Sequence, residues 1–95
     1  FHVTGVQTCA LPILGIDFHS LNGTTDEDGD ATVIGLISND GSKRLDLTVE
    51  VTFFDGDEYL GHGTDYIQVP PGGKRPFEVT SYDTPMSRFE ISAYE

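Results

Sequence analysis

One cysteine, one methionine, no tryptophan and five basic side chains against sixteen acidic ones are what the 95-residue chain has least of. Each scarcity removes a class of function. The only thiol, Cys9, cannot form a disulfide within the chain or build a cysteine-rich zinc site. The formal charge of −11 repels phosphate backbones and anionic lipid, so nucleic acid is not an expected partner. No apolar run approaches the roughly 18 residues of a spanning helix, and no membrane span is expected. Helical periodicity of useful length is missing too. The length admits one hydrophobic core and not two. What is present in quantity is Leu, Ile, Val and Phe, about 27% of the chain, above the roughly 20% below which a highly charged chain stays disordered. A folded domain is therefore expected.

The run Val3-Thr4-Gly5-Val6-Gln7-Thr8-Cys9-Ala10-Leu11-Pro12-Ile13 resembles, residue for residue, the conceptual translation of a common sequencing-library adapter. Segments of that kind are set aside before the fold is read. The expected organisation is an artefactual segment over residues 1–13, mobile or loosely docked and overwriting the natural N-terminus, followed by one domain over 14–95. Cys9 then carries no information about redox compartment, and a missing signal peptide means nothing.

From Leu14 onward, short segments of period 2 alternate with turn clusters about every 8 to 12 residues, the pattern of an antiparallel sandwich or barrel. In Leu45–Phe54, Leu45, Leu47, Val49, Val51 and Phe53 share one face while Asp46, Thr48, Glu50 and Thr52 share the other. Thr32–Ser38 reads as a strand, and Asn39-Asp40-Gly41-Ser42 as a turn closing a hairpin onto the next one. Tyr59–Val69 is strand-like, with a bulge or bend expected at Gly61 and Gly63. Pro70-Pro71-Gly72-Gly73 stops the ladder in a hairpin context. Phe77, Val79 and Ser81 mark a short strand, and Arg88–Tyr94 buries Phe89, Ile91 and Ala93. Leu14–Leu21 is a weaker first strand.

The region from Val33 to Tyr94 resembles the FxLYD domain family. The resemblance rests on Gly35 and Asn39, the strand Val49-Glu50-Val51-Thr52-Phe53-Phe54-Asp55-Gly56, Leu60-Gly61, and Pro71-Gly72-Gly73 before Phe77. The naming segment corresponds to Val51–Asp55, with Val in place of the leading Phe, Phe53 for Leu and Phe54 for Tyr. The resemblance implies a small all-β, antiparallel immunoglobulin-like β-sandwich of about six to seven strands. It also implies a non-catalytic module of the prokaryotic cell envelope or secretome, often behind a lipoprotein signal. A lipid anchor in the overwritten N-terminus is compatible with it. Read without any family, Asp55 ends its strand where its carboxylate can accept backbone amides, and Gly56 supplies a positive φ. Phe54 packs under a loop, and Tyr59, Tyr66, Tyr82 and Tyr94 lay their rings on the sheets.

Asp26-Glu27-Asp28-Gly29-Asp30 is the densest acidic cluster, and hard cations want several oxygens from alternate positions. Counted as a calcium loop from Asp26, its sixth position is Ala31 where Gly belongs, and its twelfth is Ile37 where Glu belongs. A solvated acidic loop is the expected reading. A loop-to-loop cation site using Asp26, Asp28, Asp30, Asp55 and Asp57 is the minority alternative. His19 and His62 lack zinc-ligand spacing, and His62 reads as a bend residue between glycines. No nucleophile elbow or phosphate-binding loop occurs, so no catalytic residue and no cofactor are expected. Asn22-Gly23-Thr24 fits a glycosylation acceptor on an external loop.

Five cations cannot pair sixteen carboxylates, so most of the charge stands in solvent and opposes compaction until salt screens it. That imbalance is expected of a halophilic microbe. The resulting reading is a non-enzymatic extracellular or envelope module that binds an unknown protein partner. The alternative is a calcium- or carbohydrate-binding accessory module, against which the absence of Trp weighs for carbohydrate.

Overall fold

Inward-facing Leu47, Val49, Val51 and Phe53 are all buried, so the alternation in the middle of the chain sets one sheet against another. The computed structural model describes residues 15–95 in full and, before them, the strand backbone of His2–Val3 (β1) and Val6–Ala10 (β2). Then follow β3 (Ile16–Thr25), β4 (Ala31–Asn39), β5 (Leu45–Asp55), β6 (Glu58–Val69), β7 (Lys74–Ser81) and β8 (Arg88–Tyr94). One sheet runs β1-β3-β4-β7 and the other β2-β8-β5-β6. All pairings are antiparallel except β2 with β8. The protein is an all-β sandwich, and no helix occurs among the described residues. The expectation that residues 1–13 are mobile or loosely docked lies largely outside the described residues. The described strands β1 and β2 each form one edge of their own sheet.

Between the sheets Phe53, Phe89, Ile37, Ile91, Val33, Val49, Val51 and Val69 are fully buried. Each side chain of that size contributes about 1.5–3 kcal/mol on leaving water. Gly63 on β6 faces Val79 on β7: a Cβ there would stand 2.7 Å from Val79 Cγ1, so the missing side chain lets the two sheets close along that side. Asp65 extends the closure, its Oδ2 accepting the Glu78 backbone N–H at 3.2 Å and covering a donor on the edge strand β7.

Several sequence expectations are corrected. Asn39–Ser42 does not close a hairpin: β4 pairs with β3 and β7, and the chain crosses to the other sheet before β5. The side chain of Asn39 decides this. It is 0% exposed. Its Nδ2 donates to the carbonyls of Lys43 at 2.7 Å and Val69 at 3.2 Å, and its Oδ1 accepts from Gly41 N at 2.9 Å. Its backbone N–H donates to Gly73 O at 3.0 Å and its carbonyl accepts from Gly72 N at 2.7 Å. One residue thus holds both crossings at this end, and Pro70–Gly73 is likewise a crossing and not a hairpin.

The weak first strand is a full one, Ile16–Thr25. Its pattern is hidden by a bulge between His19 and Asn22, where Ser20 takes a positive φ of 54°. Asn22-Gly23-Thr24 lies inside that strand, paired with β4, and so is not a loop. His62 is not a bend residue either, because it sits in β6 opposite Thr52. The expected irregularity near Gly61 is present: pairing jumps from Phe53 with Gly61 to Phe54 with Tyr59, leaving Leu60 as the extra residue of a bulge.

Candidate functional site

The turns carrying the acidic residues meet at the end of the sandwich opposite Asn39. In the β3–β4 hairpin, Asp26 Oδ1 accepts the backbone N–H groups of Asp28 and Asp30, both at 2.9 Å, a carboxylate standing in for a turn carbonyl. Asp30 reaches outward, its Oδ1 accepting Asp83 N at 2.9 Å, and Thr84 N donates to Gly29 O at 2.7 Å. The hairpin is thereby tied to the connection between β7 and β8. That connection is tied in turn to the β5–β6 turn: Ser87 N donates to Phe54 O at 2.8 Å, and Ser87 Oγ accepts from Gly56 N at 2.8 Å. Gly56 has the positive φ, 61°, read from the sequence.

Of the five aspartates considered as cation ligands, the structure brings together Asp26, Asp28 and Asp30, with one ligand oxygen each within 4.8 Å of the others. Asp55 and Asp57 lie at the same end of the sandwich but do not join that group among the described residues. Two of the three converging carboxylates already serve the loops, since Asp26 and Asp30 each spend an oxygen on backbone amides. Asp26 and Asp28 are exposed. Their arrangement explains the hairpin without an ion.

Arg88 organises the neighbouring surface. Its guanidinium lies 4.0 Å over the Phe54 ring, Nε donates to Gly56 O at 2.7 Å, and one terminal nitrogen pairs with Glu90 at 3.0 Å. Phe54 also meets Tyr59 edge-on at 6.2 Å, so it packs beneath the turn as expected. The tyrosines depart from expectation. Tyr66 and Tyr82 are 78% and 75% exposed, so most of each ring stands in solvent. Tyr59 turns its hydroxyl to His62 Nδ1 at 2.9 Å, and His19 meets the buried Ser38 hydroxyl at 2.8 Å. Neither histidine gathers a set of metal ligands among the described residues.

Sequence reading missed the feature on the outer face of the β1-β3-β4-β7 sheet. Ile34 is 42% exposed. With Leu36 and Pro76 it lines an open recess of about 600 Å³, together with Phe77 and the acidic Asp65 and Glu78. The signal was available: Val33-Ile34-Gly35-Leu36-Ile37 is apolar at successive positions, so an alternating strand must show some of it outward.

No protein-family model matches the chain, and no curated protein matches it. Among solved structures, it is similar to the crystal structure of Campylobacter jejuni cj0090, with a TM-score of 0.66 and 13% sequence identity. The alignment covers 90% of this chain and 94% of that one. At that identity the likeness bears on the fold alone, and it agrees with a two-sheet β-sandwich.

Proposed function

We propose that this protein is a non-catalytic structural and interaction module of the FxLYD type, secreted or held at the cell envelope of a halophilic microbe. In this reading it binds a protein partner through the outer face of the β1-β3-β4-β7 sheet. The observation that carries the reading is the apolar recess of Ile34, Leu36 and Pro76 on a chain of net charge −11. Exposed apolar patches rimmed by polar groups are characteristic of interaction sites. The FxLYD assignment is supported by the structural work of its signature positions, since Asn39 braces the sheet crossings and Gly61 sits in the bulge. The halophilic origin is supported by the charge: among the described residues only two ion pairs form, Arg44 with Asp46 and Arg88 with Glu90. Most carboxylates are therefore solvated.

The test is retention of envelope proteins on the immobilised chain, comparing wild type with Ile34→Ser. Ile34 points outward, so the variant keeps its core. A protein held by wild type and lost by the variant is the expected result, and equal recovery on both contradicts it. The second reading, a cation-binding accessory module, draws on the 4.8 Å convergence of Asp26, Asp28 and Asp30.

A further inference from the structure

The outer face of the opposite sheet carries a cross of side chains centred on Thr48. The register of β5 sets Thr48 opposite Tyr66 on β6 and opposite Tyr94 on β8. Asp46 and Glu50 lie two places before and after Thr48 on the same face of β5. Strand spacing puts the two tyrosine Cα atoms about 10 Å apart across the sheet, and those of the two acidic residues about 13 Å apart along it. Tyr66 and Tyr94 are 78% and 41% exposed. Asp46, Thr48, Tyr66 and Gln68 line a shallow recess of about 460 Å³.

The chemistry of this cross selects among ligands. Carboxylates that far apart cannot converge on one metal ion, whose oxygen ligands must lie within about 2.6 Å of it. A neutral sugar would stack on the tyrosines but gain nothing from the negative charge. An organic cation on an apolar stem uses every part: its stem lies along a ring, its charge meets the ring face, and a carboxylate stands on either side. The competing cation is loosely held, because Arg44 approaches Asp46 only to 3.8 Å with both side chains more than three-fifths exposed. Glu50 forms no ion pair among the described residues. The net charge of −11 draws basic partners towards the whole surface.

We propose that this face binds lysine or arginine side chains from a basic, extended segment of a partner protein. The site adds a second surface to the interaction reading and does not depend on the Ile34 recess.

The experiment is an NMR titration of the labelled chain with tetralysine at physiological salt. Shifts should concentrate on Thr48, Tyr66 and Tyr94. Tyr66→Ala should weaken binding roughly fivefold, whereas Tyr66→Phe, which keeps the ring face, should stay within about twofold. Asp46→Asn with Glu50→Gln should weaken it about tenfold. The distant pair Glu27→Gln with Asp28→Asn, and Ile34→Ser, should each change it less than about twofold. Unfolding midpoints recorded for each variant separate lost binding from lost structure. Equal losses in the near and distant acidic pairs would leave only a general field and overturn the proposal. So would unchanged affinity in Tyr66→Ala, or shifts produced by cellotetraose and not by tetralysine. Loss of tetralysine binding in Ile34→Ser would also overturn it, whereas failure of that variant to release an envelope protein would bear on the other face alone.

Discussion

Asn39→Asp changes one amide nitrogen for an oxygen and nothing in shape, at a position with 0% exposure. In the native protein that nitrogen donates to two carbonyls, Lys43 O at 2.7 Å and Val69 O at 3.2 Å. After the substitution an oxygen faces both. Two hydrogen bonds of about 1 kcal/mol each are lost, and the partly buried carbonyls left without a donor raise the total to about 3–4 kcal/mol. For a domain of this size that corresponds to a fall in Tm of roughly 12–25 °C. The acid has a further signature. Its folded-state pKa is raised by burial and by the facing carbonyls, so a charge penalty on top of the lost bonds is absent below the unfolded value of about 3.9 and grows as pH rises above it. Asn39→Ala, which loses both of these bonds and the one Oδ1 accepts from Gly41 N without gaining a charge, lacks this dependence. The assay is urea or thermal unfolding of wild type and both variants from pH 4 to pH 8, in molar potassium chloride to screen the remaining carboxylates. A loss below about 1 kcal/mol in Asn39→Asp, or a gap between the variants that does not widen with pH, would refute the claim that this residue clamps the crossings.

Gly63→Ala should cost about 1–3 kcal/mol, because its new methyl meets the buried, β-branched Val79 at 2.7 Å and the β6–β7 side must part; denaturant unfolding measures it, and full stability would show that the two strands approach less closely. Arg88→Ala should cost about 1–2 kcal/mol through the lost bond to Gly56 O and the lost contact with Phe54. Arg88→Lys should recover only part of that in the same assay, since lysine can reach the carbonyl or the ring but does not reproduce the planar fork.

What the sequence revealed and concealed follows from the range of each interaction. β5 and β8 were legible because a buried strand flanked by others imposes strict alternation, which is written locally in Leu47–Phe53 and Phe89–Ala93. β3 was half hidden, since the positive φ at Ser20 inserts a bulge that shifts the parity of the residues after it. The route of the chain after Asn39 was misread for a different reason. Asn-Asp-Gly is a hairpin signal on its own, but Asn39 bonds to Val69 thirty residues away, and that contact turns the chain across the sandwich.

The acidic loop shows the same division. Its turn chemistry was readable, but its link to Asp83 through Asp30 needed the fold. The separation of Asp55 and Asp57 from the other three aspartates needed it as well. The cross around Thr48 was implicit in the alternation of β5, yet only the register shows Tyr66 and Tyr94 on either side of it.

We propose that binding belongs to the sheet faces, while the acidic end of the sandwich is a solvated, self-braced surface. The most direct test is thermal unfolding of the chain across potassium chloride from dilute to molar, with and without a few millimolar calcium at matched ionic strength. The midpoint should rise with salt as the screening length shrinks to about 3 Å, with no further rise on adding calcium. A calcium-specific increase of several degrees would contradict it, since an ion binding the folded state at a hundred times its Kd adds about 2.7 kcal/mol, and Asp26, Asp28 and Asp30 would then be ligands.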